Sequence, residues 1–160
     1  MIVESQSTVQ QRVAIIGAGN VAGHLAEALA QAGCLAGVWS RNESHASAIA
    51  APLNVRGGAM SALPHDLDVY IMAVKDDAIP AVSAAIGSVS GIVAHTSGTA
   101  PMDSLIQKRR GVFYPLQTFS SNRHIDMSEV PFFIEGSDEC VSADLRNLAL
   151  RISPNVRYAG

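Results

Sequence analysis

The segment RVAIIGAGNVAGHLAEALAQAG, which runs from Arg12 to Gly33, decides the predicted fold. Val13 to Ile16 form a short, largely β-branched apolar run, which is typical of a strand buried on both faces of a parallel sheet. From Val21 onward, large apolar residues recur at every fourth position with alanines between them, and this spacing predicts a helix that Gly33 stops. The segment is therefore predicted to fold as a strand, a tight turn and a helix.

The turn between that strand and helix reads GAGNVA at positions 17–22, which fits the pattern G-x-G-x-x-A. Gly17 permits the tight turn, Gly19 lets the backbone approach a pyrophosphate, and Ala22 lets the helix pack closely on the strand. The helix N-terminus adds N–H groups and a positive dipole end. A purely structural turn is the alternative. The predicted cofactor contacts here are Gly17, Ala18, Gly19, Asn20 and Val21.

The second predicted strand, 35–39, ends where an acidic residue normally holds an adenosine ribose. The sequence instead continues with Ser40, Arg41 and Asn42 and offers no carboxylate. Ser40 and Asn42 can donate hydrogen bonds to phosphate oxygens, and Arg41 can add a charge-assisted contact and stack on adenine. These three residues therefore predict NADP(H) rather than NAD(H), with a merely solvated Arg41 as the alternative.

Strands and helices continue to alternate along the rest of the chain. Further strands are predicted at 54–56, 68–74, 91–95, 111–114 and 155–158, with a strand-like segment PFFIEG at 131–136; helices are predicted at 44–51, 79–86 and 138–150. This order predicts a right-handed Rossmann fold, a doubly wound and mainly parallel sheet in three α/β/α layers. We assign residues 1–11 to a flexible leader and residues 12–160 to one NADP(H)-binding domain.

Composition excludes several classes of function. The formal net charge of −3 provides no basic surface for nucleic acid, and no apolar run is long enough to span a membrane. Residues 1–11 lack the apolar core of a signal peptide, so we expect a cytoplasmic protein. The histidine spacing predicts no metal site. The mean hydropathy of +0.22 is slightly high, and we expect a homodimer through exposed apolar surface.

The two cysteines, Cys34 and Cys140, lie far apart and outside any CxxC pair. This spacing indicates neither a disulfide framework nor a zinc site. Both are expected to be buried apolar residues in a reducing compartment.

Polar residues follow the strand that ends at position 74. In a doubly wound sheet, ligands bind at the carboxyl ends of the strands. Val74, Lys75 and Ala78 are therefore predicted to flank the ribose or nicotinamide of the cofactor. Asp76 and Asp77 are interpreted as caps of the next helix.

A second polar group follows the strand that ends at His95. His95 is predicted to contact the cofactor and is the best candidate for a general acid, because its proton is available near neutral pH. Ser97 is the second catalytic candidate, and Thr96 and Ser97 are predicted to hydrogen-bond the substrate. The equally weighted alternative is that Ser97 or Thr99 is only an N-cap ahead of Pro101 and the next helix.

A third polar pair, Gln117 and Thr118, lies in a loop that is expected at the same edge of the sheet. These two residues are predicted to orient substrate. The stronger alternative is that they only make hydrogen bonds within the loop.

Three motifs occur together and in order: AVKDDAI at 73–79, HTSG at 95–98 and YPLQTFS at 114–120. With them the chain resembles bacterial two-domain proteins of the 6-phosphogluconate dehydrogenase-like superfamily, relatives of pyrroline-5-carboxylate reductase and the deazaflavin-dependent NADP reductases. Those proteins combine a Rossmann domain with a helical C-terminal domain of unknown function. Two departures are Tyr114, where the family usually has histidine, and the absence of the helical domain after Gly160.

The resemblance implies an NADP(H)-dependent oxidoreductase that transfers hydride to or from a small carbonyl or imine compound. Because the helical domain of such proteins completes the substrate site, we expect this chain alone to bind cofactor and turn over little. A non-catalytic NADP(H)-sensing module is the alternative from a different class. A methyltransferase that uses S-adenosylmethionine is disfavoured, because Arg41 replaces the carboxylate that usually grips its ribose.

Overall fold

The computed structural model describes residues 11–120 and 124–158. Its strands are β1 (Val13–Ile16), β2 (Leu35–Ser40), β3 (Arg56–Ala59), β4 (Val69–Met72), β5 (Ile92–His95), β6 (Arg110–Pro115), β7 (Phe132–Gly136) and β8 (Val156–Tyr158). Its α-helices are α1 (Asn20–Gln31), α2 (Glu43–Ala50), α3 (Ile79–Ile86) and α4 (Glu139–Leu150). Apart from Gln11, the predicted leader lies outside the described residues.

The strands form one eight-stranded sheet in the order β3-β2-β1-β4-β5-β6-β7-β8. All neighbouring pairs are parallel except β6 and β7, which are antiparallel. From β1 the chain adds β2 and then β3 on one side of β1. It then crosses back over the sheet and adds β4 on the opposite side of β1. A topological switch point therefore lies between β1 and β4, the place where open α/β sheets bind ligands. The predicted doubly wound Rossmann fold is confirmed.

Two apolar clusters cover the two faces of the sheet. Val13 and Ile15 of β1 point into the cluster that contains residues of α1, α2 and α4, and Ala14 and Ile16 point into the cluster that contains residues of α3. All four β1 residues are buried, which is what their unbroken apolar run predicts. Each large aliphatic side chain buried in this way contributes roughly 1.5–3 kcal/mol. The three-layer arrangement follows from these two packed faces.

The third strand begins two residues later than predicted, at Arg56 rather than Asn54. Asn54 has a φ of 58° and ends a 3₁₀ helix that contains Pro52. A left-handed residue cannot continue a strand, and asparagine is among the few non-glycine residues that adopt this conformation readily. The error matters for the site, because it displaced the carboxyl end of β3 in the prediction.

The two cysteines differ in their surroundings. Cys34 is buried as predicted, and burial raises the pKa of its thiol. Cys140 is exposed in the first turn of α4, so the prediction that both are buried is wrong. The apolar stripe of α4 instead begins at Val141, one position further along the helix.

In the described part of the chain, every helix is too short or too polar to cross a membrane.

Gly17 is required by the fold itself. Its φ is +125°, and a Cβ atom there would lie only 2.2 Å from the carbonyl oxygen of Ala73. We expect Gly17→Ala to lower the free energy of unfolding by at least about 2 kcal/mol, because it combines an unfavourable backbone conformation with a clash against rigid backbone. Urea denaturation measures this effect.

Gly23→Ala is the matched control for Gly17→Ala. A Cβ atom at Gly23 would meet nothing within 4 Å, and Gly23 lies inside α1. Alanine should therefore be neutral or stabilise the helix by about 0.5–1 kcal/mol. Equal effects of the two substitutions would contradict the special role of Gly17.

Candidate functional site

A cleft opens at the switch point, at the carboxyl ends of β1, β2, β4 and β5. Its volume of about 580 Å³ lies within the usual range of small-molecule sites. We call it the switch-point cleft. It is lined by residue 16 at the end of β1, 17–21 of the glycine turn and the start of α1, 40 and 41 at the end of β2, 60 after β3, 73–75, 77 and 78 after β4, 82 of α3 and 96 after β5.

The glycine turn presents an open backbone to the switch-point cleft. Gly19 is the N-cap of α1, its φ is −89°, and a Cβ atom there would meet nothing within 4 Å. Neither backbone strain nor packing therefore requires glycine at position 19. No side chain caps α1, whereas Asn42 caps α2 and Asp138 caps α4. The free N–H groups of α1 and the space beside Gly19 form a cradle suited to phosphate.

The residues at the end of β2 divide into two groups. Ser40 and Arg41 line the switch-point cleft, and none of the ion pairs in the described ranges includes the exposed Arg41. Asn42 does not line it. The Asn42 side-chain oxygen accepts hydrogen bonds from the His45 N–H at 3.1 Å and from Ser44 Oγ at 2.8 Å. This oxygen caps α2, and the amide nitrogen, which is the predicted donor to phosphate, makes no hydrogen bond within the described residues, so the phosphate contact of Asn42 stays a prediction.

The segment after β4 brings its predicted residues to the cleft. Val74, Lys75 and Ala78 line it, as does Asp77, for which the sequence suggested only a capping role. That suggestion is wrong for both aspartates, because neither the 3₁₀ helix Asp76–Ala78 nor α3 has a side-chain cap. The Asp76 carboxylate points instead to the loop after β5.

His95 is buried and does not line the switch-point cleft. Its Nδ1 accepts the Ser97 N–H at 3.0 Å, so Nε2 carries the proton and donates to the Pro101 carbonyl at 3.2 Å. Burial lowers the pKa of His95 and favours this neutral ring. With both nitrogens engaged in its own loop, His95 has no proton directed at a ligand, and the geometry argues against the predicted acid and cofactor-binding roles.

Two further residues of this loop have different positions. Thr96 lines the switch-point cleft, and its hydroxyl donates to the Met72 carbonyl at 3.4 Å. Ser97 does not line it; its Oγ accepts the N–H groups of Thr99 at 3.1 Å and Ala100 at 2.8 Å. These contacts form a local serine turn rather than the helix N-cap suggested as the alternative, because the 3₁₀ helix Met102–Ser104 has Pro101 at its N-cap and no side-chain cap. The geometry supports Thr96 rather than Ser97 as a ligand contact.

Burial of neutral His95 predicts a pH dependence of stability. A histidine with a depressed pKa in the folded state contributes stability that is complete above its unfolded pKa near 6.5 and is lost as pH falls toward the folded value. We expect the free energy of unfolding to decrease over that interval. His95→Asn should reduce this dependence, because its amide oxygen can replace Nδ1 as an acceptor without titrating.

The pH dependence is measured by urea denaturation at several pH values. His65→Asn is the control, because His65 is exposed. If the pH dependence of His95→Asn matches that of the unaltered chain, burial of neutral His95 is not its source.

Gln117 and Thr118 lie outside the switch-point cleft and are exposed. The Thr118 N–H donates to the Gln117 side-chain oxygen at 3.3 Å, as the loop alternative requires. The same loop packs on α1, where Asn20 Nδ2 donates to the Phe119 carbonyl at 3.4 Å and His24 Nε2 lies 2.8 Å from the Ser120 carbonyl. The geometry does not support these two residues as contacts of a ligand in the cleft.

The family follows from a comparison of the sequence with protein-family models. The model described as NADP oxidoreductase, coenzyme F420-dependent, matches residues 12–94, just over half of the chain. The chain belongs to this family. The matched region contains the glycine turn, the end of β2 and the segment after β4. A comparison with curated proteins gives no match.

Several solved structures resemble this chain over most of its 160 residues. A provisionally assigned NADP oxidoreductase of Bacteroides fragilis is 34% identical, with a TM-score of 0.83 over 94% of this chain and 61% of that chain. A Thermotoga maritima protein is 20% identical, with a TM-score of 0.77 over 92% and 57%. A prephenate dehydrogenase from A. aeolicus, in complex with hydroxyphenyl propionate and NAD⁺, is 14% identical, with a TM-score of 0.74 over 96% and 61%.

The two less similar structures support the fold alone. This NADP oxidoreductase family member spans about three fifths of the length of the structures that it matches.

Five residues that line the cleft were missed in the sequence: Ile16, Met60, Ala73, Asp77 and Val82. Ile16 and Ala73 directly precede the predicted contacts Gly17 and Val74. Met60 follows β3 directly, so a correct end for that strand would have placed it at the carboxyl edge. Asp77 adjoins Lys75 and Ala78 and was masked by the capping interpretation. Val82 resembles any core residue of α3, and no pattern in the sequence distinguishes it.

Proposed function

We propose that the chain binds NADP(H) in the switch-point cleft, with the adenosine half toward β2 and β3 and the nicotinamide half toward β4 and β5. The observation that carries this proposal is the joint presence of two features in one cleft. Gly19 leaves open space at the uncapped N-terminus of α1, and Arg41 carries a charge without an ion pair in the described residues. One suits a pyrophosphate and the other a 2′-phosphate.

The residues present fit this cofactor. The N–H groups of α1 bind the pyrophosphate, and Ser40 and Arg41 bind the 2′-phosphate. Apolar Met60, Val74 and Val82 exclude water from the rings, with the Thr96 hydroxyl nearby as a polar contact. The cofactor, when bound, supplies or accepts hydride, and the protein positions its nicotinamide ring.

We further propose that the protein is an NADP(H)-dependent oxidoreductase that acts on a small carbonyl or imine compound. Family membership supports the reaction class. His95 does not line the cleft, so another residue must donate the proton. Lys75 and Asp77 are titratable side chains that line the cleft.

The homodimer stays a prediction. Exposed large apolar side chains occur at Ile106, Leu116, Leu150 and Tyr158.

A non-catalytic NADP(H)-binding module is the second candidate. The observation in its favour is that both His95 nitrogens are hydrogen-bonded within their own loop. Oxidation of NADPH in the presence of ketones, imines and a deazaflavin separates the two. Tight NADPH binding without turnover by the full-length protein supports the module, and turnover supports the oxidoreductase.

A calorimetric titration with NADPH, NADH and S-adenosylmethionine tests the binding proposal directly. We expect NADPH to bind more tightly than NADH, and S-adenosylmethionine not to bind. A preference for NADH would overturn the role of Arg41. Binding of S-adenosylmethionine alone would support the methyltransferase and overturn the oxidoreductase.

A further inference from the structure

Asp76 joins two loops that form neighbouring walls of the switch-point cleft. It lies in the 3₁₀ helix that follows β4, and its Oδ2 accepts hydrogen bonds from Ser97 Oγ at 3.0 Å and Thr99 Oγ1 at 2.9 Å. Both hydroxyls belong to the loop after β5. We call these three side chains the hydroxyl latch.

The loop on the far side of the hydroxyl latch is held at several further points. The Ser97 N–H donates to His95 Nδ1, and Ser97 Oγ accepts the Ala100 N–H at 2.8 Å. Gly98 rests on the ring of Tyr114, since a Cβ atom there would lie 2.6 Å from a ring carbon. These contacts hold the loop against Tyr114 of β6, and the hydroxyl latch joins the same loop to the segment after β4.

No member of the hydroxyl latch lines the cleft, but their neighbours in sequence do. Lys75 and Asp77 flank Asp76, and Thr96 precedes Ser97. Displacement of Asp76 relative to Ser97 would therefore change the separation of two walls that face the proposed nicotinamide half. The adenosine half is bounded by residues 40, 41 and 60, to which the latch makes no described contact.

We propose that Asp76 is a positioning residue that holds the nicotinamide-side walls of the cleft at the separation NADP(H) requires. The inference rests on the proposed function and extends it to a residue that does not touch the cofactor. Its physical basis is preorganisation: binding is weaker when part of its free energy must order the site. Since a single oxygen, Oδ2, accepts both hydroxyls, the amide oxygen of asparagine can take its place, and alanine cannot.

The test compares dissociation constants for NADPH and for adenosine 2′,5′-bisphosphate, which carries only the adenosine half. We expect Asp76→Ala to weaken NADPH binding roughly 10-fold, because the cofactor would then have to order two loops that the hydroxyl latch orders in the free chain, and to leave bisphosphate binding within about 2-fold. Asp76→Asn should keep wild-type affinity for both. Calorimetry on the unaltered 160-residue chain and on the two variants measures all six dissociation constants.

Asp126→Ala is the matched control. Asp126 Oδ1 accepts hydrogen bonds from the N–H and Oγ of Ser128, at 3.1 and 2.6 Å, in a 3₁₀ turn that does not line the cleft. Its loss should leave both affinities unchanged. If Asp76→Ala does not fold, as judged by circular dichroism, Thr99→Val replaces it, because valine removes one latch hydroxyl with little change of shape. That variant should weaken NADPH binding roughly 3-fold and spare the bisphosphate.

The possible outcomes separate this inference from the proposed function. A wild-type chain that binds neither ligand overturns both. Tight wild-type binding with unchanged NADPH affinity in Asp76→Ala overturns the positioning role alone. Equal weakening of NADPH and bisphosphate also overturns it, because the effect would then not be confined to the nicotinamide half. Failure of Asp76→Asn to restore affinity would overturn it as well, since the charge rather than the latch would be required.

Discussion

Gly19→Val is expected to weaken NADPH binding by at least about 100-fold while the fold is retained. The branched side chain would occupy the space beside the N-terminus of α1, where a Cβ atom now meets nothing within 4 Å. Two charge-assisted hydrogen bonds from backbone N–H groups to phosphate, at roughly 1.5–3 kcal/mol each, account for this loss. The φ of −89° is accessible to valine, so the effect on stability should be limited to a poorer helix cap, about 1 kcal/mol.

Calorimetry measures the affinity of Gly19→Val, and circular dichroism checks the fold. Gly23→Val is the matched control, because Gly23 lies one turn further along α1, also has open space at its Cβ position and does not line the cleft. NADPH affinity should be unchanged in the control. Native-like circular dichroism with unchanged affinity in Gly19→Val would show that the turn is purely structural.

Arg41→Asp is expected to reverse the preference between the two cofactors, weakening NADPH by roughly 10- to 100-fold relative to NADH. Arg41 lines the cleft at the end of β2 without an ion pair in the described residues, so its charge is available to a 2′-phosphate. A charged contact of this kind is worth roughly 1.5–3 kcal/mol. Aspartate removes that contact, repels the 2′-phosphate and can accept hydrogen bonds from the ribose hydroxyls of NADH.

The experiment is a titration of both cofactors against Arg41→Asp and against Arg146→Asp. Arg146 is exposed on α4, away from the residues that line the cleft, so its substitution makes the same change of charge without a local contact. Only Arg41→Asp should alter the ratio of the two affinities. An unaltered ratio would mean that the 2′-phosphate is held elsewhere or that the chain does not discriminate.

Prediction from the sequence succeeded where the physical cause is local. The side chains of β1 alternate between the two faces of the sheet, and Gly33 adopts a φ of +80° where α1 ends. Both features depend only on residues that are neighbours in the sequence. Asn42 shows the limit of such reasoning. Its side chain suits a phosphate contact and a helix cap equally well on chemical grounds. Because α2 starts at Glu43, the Asn42 oxygen caps that helix, which leaves only the amide nitrogen for the predicted phosphate contact.

The residues after β5 could not be assigned in the same way. A histidine at the end of a strand can belong to a functional site or to the core. The direction of the His95 ring depends on the positions of the Ser97 N–H and the Pro101 carbonyl, which bind its two nitrogens. Asp76 and Ser97 are 21 positions apart, and their contact depends on the register of β4 against β5. Neither composition nor periodicity carries that register.

Local pattern was thus sufficient for the doubly wound sheet, the glycine cradle and the position of Arg41, because apolar periodicity and turn geometry act over a few neighbouring residues. Only the tertiary structure decided that His95 turns into its own loop, that Met60 reaches the cleft and that Asp76 joins two walls of it. These features depend on side chains that meet across separate strand ends. Their partners are determined by strand order and register, which result from packing of the whole sheet.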